Sequence, residues 1–145
     1  MLAAMANKDE LVQSVKNIVK HWREGKLAEA FTAYQGLFSQ PDFNEHRPED
    51  QRQALRLMVM AKGGPDPERA TPEMVEAHRV AAAILTDLVT KFGEPTDHEM
   101  LGVCHLVLGN PETASAIFRA GLAIERARNP QSDLCGSLMK RISLI

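Results

Sequence analysis

Residues 95–128 read PTDHEMLGVCHLVLGNPETASAIFRAGLAIERAR, and this stretch decides the fold. Pro95-Thr96-Asp97 opens a helix carrying Met100, Leu101, Val103, Cys104, Leu106, Val107 and Leu108. Proline suits a first helical turn because the amide it lacks would have no helical partner there, and the acid complements the helix dipole. Gly109-Asn110-Pro111 is a tight turn with a new start built in. A second helix follows over about 111–128, with Ala114, Ile117, Phe118, Gly121, Leu122 and Ile124. So short a connection makes the two helices antiparallel neighbours. From Gly102 it is 12 residues to Ala114, 4 more to Phe118 and 3 more to Gly121. Small residues at Gly102 and Ala114 allow the two helices to approach closely. Phe118 is expected to fill the gap between this pair and its neighbour.

The same period runs outward in both directions. Downstream, Asn129-Pro130 breaks the chain before a helix over about 131–143 with Leu134, Cys135, Leu138, Met139 and Ile142. Upstream, Thr71-Pro72-Glu73 caps and opens a helix over about 72–92, which Gly93 ends. Pro48-Glu49-Asp50 opens another, apolar nearly all round from Ala54 to Ala61 and so expected to be deeply packed. The first two helices span about 8–24 and 26–39, with apolar stripes Leu11-Val15-Ile18-Val19-Trp22 and Leu27-Ala30-Phe31-Tyr34-Leu37-Phe38. Residues 1–7 are expected to fray. The two long loops, 40–48 and 62–72, flank the third helix, and Gly63-Gly64-Pro65 is the clearest break. The reading is a single all-α domain over 1–145 with seven helices in antiparallel succession. Trp22, Phe31, Phe92, Leu101 and Phe118 are expected in its core.

The 95–128 unit resembles the tetratricopeptide repeat, a helix-turn-helix unit of about 34 residues. It departs from that pattern at His98 and His105, where the family has aromatics, and at Gly121, where it has alanine. A weaker copy lies at 11–41, with Gly25-Lys26-Leu27-Ala28-Glu29-Ala30 as its turn and Tyr34 in the aromatic place. Ala81 and Ala114 are 33 residues apart, whereas Ala30 and Ala81 are 51 apart, so the first period holds an insertion. The resemblance implies a right-handed helical-repeat superhelix of three helix pairs, with the seventh helix as a C-terminal cap. Another helical repeat and an unrelated helical bundle remain alternatives.

Composition narrows function without naming it. A net charge of −2, with a mildly acidic middle and mildly basic ends, offers no field for nucleic acid. No apolar run approaches a membrane span. The first residues lack the pattern of a secretory leader, and Cys104 and Cys135 read as two small buried thiols, so a cytoplasmic protein is expected. No glycine-rich phosphate loop is present. Ser137-Leu138-Met139-Lys140 matches S-x-x-K, but without the companion motifs of the enzymes that use it. His98, Cys104 and His105 lack the spacing by which one helix holds zinc, and His105 reads as a satisfied, partly buried histidine. The acids Glu49-Asp50, Asp66/Glu68 and Glu73/Glu76 sit at helix starts, where the dipole explains them. No catalytic, metal or cofactor residue is therefore assigned.

The expected function is protein interaction without catalysis. The resemblance implies an adaptor, scaffold or chaperone-like module that holds a partner's peptide or amphipathic helix in a concave groove. That groove is lined by the first helix of each pair. Carried over position by position, its lining is Val19, Trp22 and Arg23 from the first unit, with Val15 beside them, and Glu99, Val103 and Leu106 from the last. Arg52 and Arg56 join them because they share a face of the third helix one turn apart. An apolar groove with an arginine rim suits an amphipathic helix carrying acids. The competing reading is that Val19, Trp22 and Leu106 pack inside the array. A self-assembling protein whose terminal helices pair between copies is the alternative function, prompted by the apolar Ile142-Ser143-Leu144-Ile145.

Overall fold

The computed structural model describes residues 7–61 and 66–145, and in them seven α-helices and no strand. They are α1 (Lys8–Arg23), α2 (Leu27–Phe38), α3 (Pro48–Val59), α4 (Pro72–Phe92), α5 (Pro95–Val107), α6 (Pro111–Arg128) and α7 (Asp133–Ser143). The break expected at Gly63-Gly64-Pro65 and the fraying expected over residues 1–6 lie outside the described residues. Asn7, expected to fray, is instead the N-cap of α1. Its side chain accepts from the amides of Asp9 and Glu10 at 2.9 and 3.2 Å. Thr71 caps α4 through the Met74 amide, and Ser132 caps α7 through the Cys135 amide. Gly93 ends α4 in the left-handed region, with φ of 62°, which only glycine adopts without steric cost.

Most helices pack on a chain neighbour, but α2 packs mainly on α4, and α3 makes only thin interfaces. The largest interfaces are α5 with α6, then α2 with α4 and α4 with α5. α2 thus reaches across to α4, and α3 lies outside that contact with thin interfaces to α4 and α5. The expectation that α3 is deeply packed fails on one side. Ala54, Leu55, Met58 and Val59 are buried, but Leu57 is 44% exposed. The loop before α3 is also less polar in effect than its sequence suggests. Phe43 anchors it in the core, edge-on to Phe38 at 5.3 Å, and the Gln51 Nε2 donates to the carbonyls of Asn44 and His46.

α5 is the centre of the molecule. It is flanked by α3, α4, α6 and α7, and residues 97–104 are buried without a break. Gly102 is there because α6 crosses on it. A Cβ built at Gly102 would lie 2.2 Å from Cε1 of Phe118, and the ring is fully buried. Phe118 therefore fills space within its own pair, where the sequence placed it between pairs. One turn on, a Cβ at Gly121 would lie 2.7 Å from the His98 Cβ, so a second small residue seats a second ring. Phe31 and Leu101 are buried as expected, and Trp22 is half-buried, edge-on to Phe31. Phe92 is not in the core. It is the last residue of α4, 47% exposed, because the chain turns away at Gly93 and no further helix covers the ring. The Arg52 guanidinium lies over it instead, 5.2 Å from the ring centre.

Candidate functional site

The apolar stripe of α1 is wider than α2 covers. Leu11 and Ile18 are buried and Trp22 packs on Phe31, while Val12, Val15 and Val19 continue round the helix at steps of three and four. α3 lies opposite this second row. Because α3 stands out from the α2–α4 contact, the space between α1 and α3 stays open as a groove. Its first part, about 210 Å³, is lined by Leu11, Val12, Val15, Ala54 and Leu57, with Lys8, Lys16, Asp50 and Gln53 at the edges. A second part of about 620 Å³ shares Val15, Lys16 and Leu57 and runs on past Val19 to Lys20, Arg23 and Glu24. Val12 and Leu57, on opposite walls, are 40% and 44% exposed.

The rim of this groove is basic on one side only. Lys16, Lys20 and Arg23 follow one another along α1 at helical spacing. Among the described residues none of the three takes part in an ion pair, whereas Lys8 is paired with Asp50 at 3.6 Å and Glu24 with Lys26 at 4.0 Å. The α3 wall contributes Asp50, Gln53, Ala54 and Leu57, and among the described residues no free cation lines it, the exposed Arg56 of α3 lying outside the lining.

The eight residues singled out from sequence fall in separate places. Val19 and Arg23 line the groove together, with Val15 beside them. Trp22, on the same helix, turns towards Phe31. Arg56 is exposed on α3. Arg52 turns inward, with Nε 3.0 Å from both carboxylate oxygens of Asp97, so it does not share a surface with Arg56. Glu99 is 6% exposed under α7, bonded by the Ser137 hydroxyl and by the Arg141 Nε at 2.9 Å. Val103 is buried, beside Arg141, Met60 and Pro67 at a small cavity of about 400 Å³. Leu106 is half-buried against the core.

Two buried ion pairs therefore stand where a groove lining was expected on α5. Asp97 is fully buried and Glu99 nearly so, and their side chains leave α5 in different directions, to α3 and α7. A buried charge needs a partner, and the two arginines supply it. The signal in the sequence was the run Asp97-His98-Glu99 at the start of a helix that, from Met100 on, carries no polar side chain but His105. Of the groove residues that sequence reasoning missed, Val12 and Leu57 carried a similar signal, as apolar positions outside the stripe that one partner helix fills, whereas Lys16 and Lys20 read as ordinary surface charges.

Four further titratable groups lie wholly or partly inside the molecule: His78, His105, Cys104 and Cys135. His78 is fully buried on α4, and its Nδ1–H donates to the Met74 carbonyl at 2.7 Å. Its Nε2 has no hydrogen-bond partner among the described residues. Burial pushes this imidazole below its ordinary range, and the hydrogen bond opposes that only in part. His105 is half-buried beside Asn110 and is shifted down by burial as well. Both thiols are free and buried, and burial pushes that of Cys104 up to about 12. Among the described residues no three His, Cys, Asp or Glu side chains gather as a metal-binding set, and no helix is long and apolar enough to cross a membrane. No family model matches the chain, and no curated protein or solved structure matches it.

Proposed function

We propose that the chain is a non-catalytic protein-interaction module, adaptor or chaperone-like, that binds a helical or extended segment of a partner protein in the α1–α3 groove. One observation carries this reading: a groove floored by apolar side chains, with Val12 and Leu57 left exposed on its facing walls. Exposed aliphatic residues scattered singly need no explanation, but facing ones in a concave site invite a partner. A tetratricopeptide-like, right-handed arrangement is supported by the α1–α2 and α5–α6 pairs, while its middle pair, α3–α4, is thin. α1–α2, α3–α4 and α5–α6 then form three pairs, with α7 as the cap. It is also supported by the α2–α4, α3–α5 and α5–α7 contacts between successive pairs and by the tight Gly102–Phe118 crossing. The free thiols support a cytoplasmic setting.

A specific observation favours the second reading, self-assembly. Met139, Leu144 and Ile145 at the α7 end are 48%, 76% and 48% exposed. One experiment separates the two. A photo-crosslinking amino acid is placed at Val12, at Leu57 and at Met139 in separate proteins expressed in the source cells, and adducts are identified by mass spectrometry. The expected result is one and the same foreign protein joined at positions 12 and 57. Adducts only at position 139, joining two copies of this chain, would replace the adaptor reading with assembly.

A further inference from the structure

The groove's charge is more informative than its apolar floor. We infer that its occupant is an amphipathic helix of another protein, about three turns long, that carries acidic residues along one flank only. This rests on the reading of α1–α3 as the binding face. The α1 wall repeats Val12, Val15 and Val19 opposite Leu57, a spacing that receives side chains at i, i+3 or i+4, and i+7 of a docked helix. From Val12 to Arg23 the wall runs 11 residues, about 16 Å at the helical rise, which sets the length engaged.

The flank follows from which charges are already neutralised. At one end Lys8 lies 3.6 Å from Asp50, and at the other Glu24 lies 4.0 Å from Lys26, so each has an opposite charge beside it. Between them Lys16, Lys20 and Arg23 form a row of cations with no ion-pair partner among the described residues, all on the α1 wall. The α3 wall offers Gln53 and the already paired Asp50. A partner helix therefore gains by placing acids beside the second half of α1 and uncharged polar residues beside α3. A second copy of this chain is disfavoured by sign. Its exposed apolar residues on α7 adjoin Lys140, and α1 itself is the basic element. A flat anionic bilayer is disfavoured by shape, since Leu11 and Ala54 at the floor are 5% and 3% exposed and lie below the rim.

The test uses the whole chain and two synthetic helices with the same leucine seam, one with glutamates along a single flank and one with lysines there. Binding is followed by fluorescence anisotropy at low and high salt, and the bound face is located by backbone amide chemical shifts. The glutamate helix is expected to bind about tenfold tighter or more at low salt and to lose that advantage at high salt. Shifts should centre on Val12, Val15, Val19 and Leu57. The exposed triple variant Lys16→Glu/Lys20→Glu/Arg23→Glu, with its fold checked by circular dichroism, should invert the preference. Equal binding of both helices in the groove overturns the charge inference and leaves the binding face standing. If neither helix binds, or if shifts fall elsewhere, both are overturned. Tight association with phosphatidylglycerol vesicles that the glutamate helix does not displace would overturn the inference in favour of a membrane surface.

Discussion

Replacing Gly102 by alanine is the sharpest perturbation the fold offers, because the same change should have opposite signs in two backgrounds. In an open helical position alanine is favoured over glycine by about 0.5–1 kcal/mol, since glycine loses more backbone freedom on folding. At Gly102 that gain meets an obstacle. The new Cβ would sit 2.2 Å from Cε1 of Phe118 and 2.6 Å from Cδ1 and Cζ. Ordinary carbon contacts lie at about 3.5–4.0 Å, so ring or helix must move by roughly 1.5 Å. The ring is fully buried and cannot swing into solvent. Overpacking of this kind costs about 1–3 kcal/mol, and a clash this close belongs at the upper end. The net expectation is a loss of about 1–2 kcal/mol. In a Phe118→Ala background, itself about 3–5 kcal/mol less stable, the obstacle is gone and Gly102→Ala should stabilise by about 1 kcal/mol. The coupling is then about 2–3 kcal/mol, as expected for two residues in direct contact. Urea melts followed by helical circular dichroism measure all four proteins, with Gly36→Ala as a control at a helical glycine whose Cβ would meet nothing within 4 Å. If Gly102→Ala is neutral in the parent, or has the same sign in both backgrounds, the close α5–α6 crossing is wrong.

The remaining expectations concern the groups buried around α5 and α4. Arg52→Met should cost about 3–5 kcal/mol by stranding the fully buried Asp97. Arg52→Met with Asp97→Leu should recover most of that loss in the same melts, and a double variant no better than the single one would show that the pair is not the cause. His78 makes stability fall with acid: its folded pKa is depressed, so its contribution is complete above the unfolded value near 6.5 and is lost as pH drops below it. Relative to His78→Leu, the parent should therefore weaken by up to about 1.4 kcal/mol per pH unit below that point, and parallel stability–pH curves would contradict the buried, unpartnered Nε2. Neither Cys104 nor Cys135 should react with a thiol reagent in the native protein at neutral pH, and both should react in urea. Prompt labelling of Cys104 would place it at the surface.

The local rules of helix formation were legible in the chain itself. Prolines at first-turn positions, the Thr71 cap, the left-handed Gly93 and apolar steps of three and four set all seven helices within a residue or two of their ends. The close crossing at Gly102 was legible too, from the small residues Gly102 and Ala114 on facing helices, although the ring that Gly102 seats, Phe118, was expected between pairs. Such signals survive without tertiary context because each depends on residues within one or two turns. What the chain alone did not reveal is which side of each helix meets which neighbour. Asp97 and Glu99 look like surface acids until α3 and α7 close over α5 and bring Arg52 and Arg141 to them. Phe92 looks like core until the chain turns at Gly93 and leaves its ring beneath an arginine. The α1–α3 groove arises because α2 packs on α4 and leaves α3 standing off from α1, a long-range choice made by buried area summed over four helices. Periodicity tells a helix that it has an apolar face, but only the packed molecule decides whether another helix of the same chain fills that face or leaves it open.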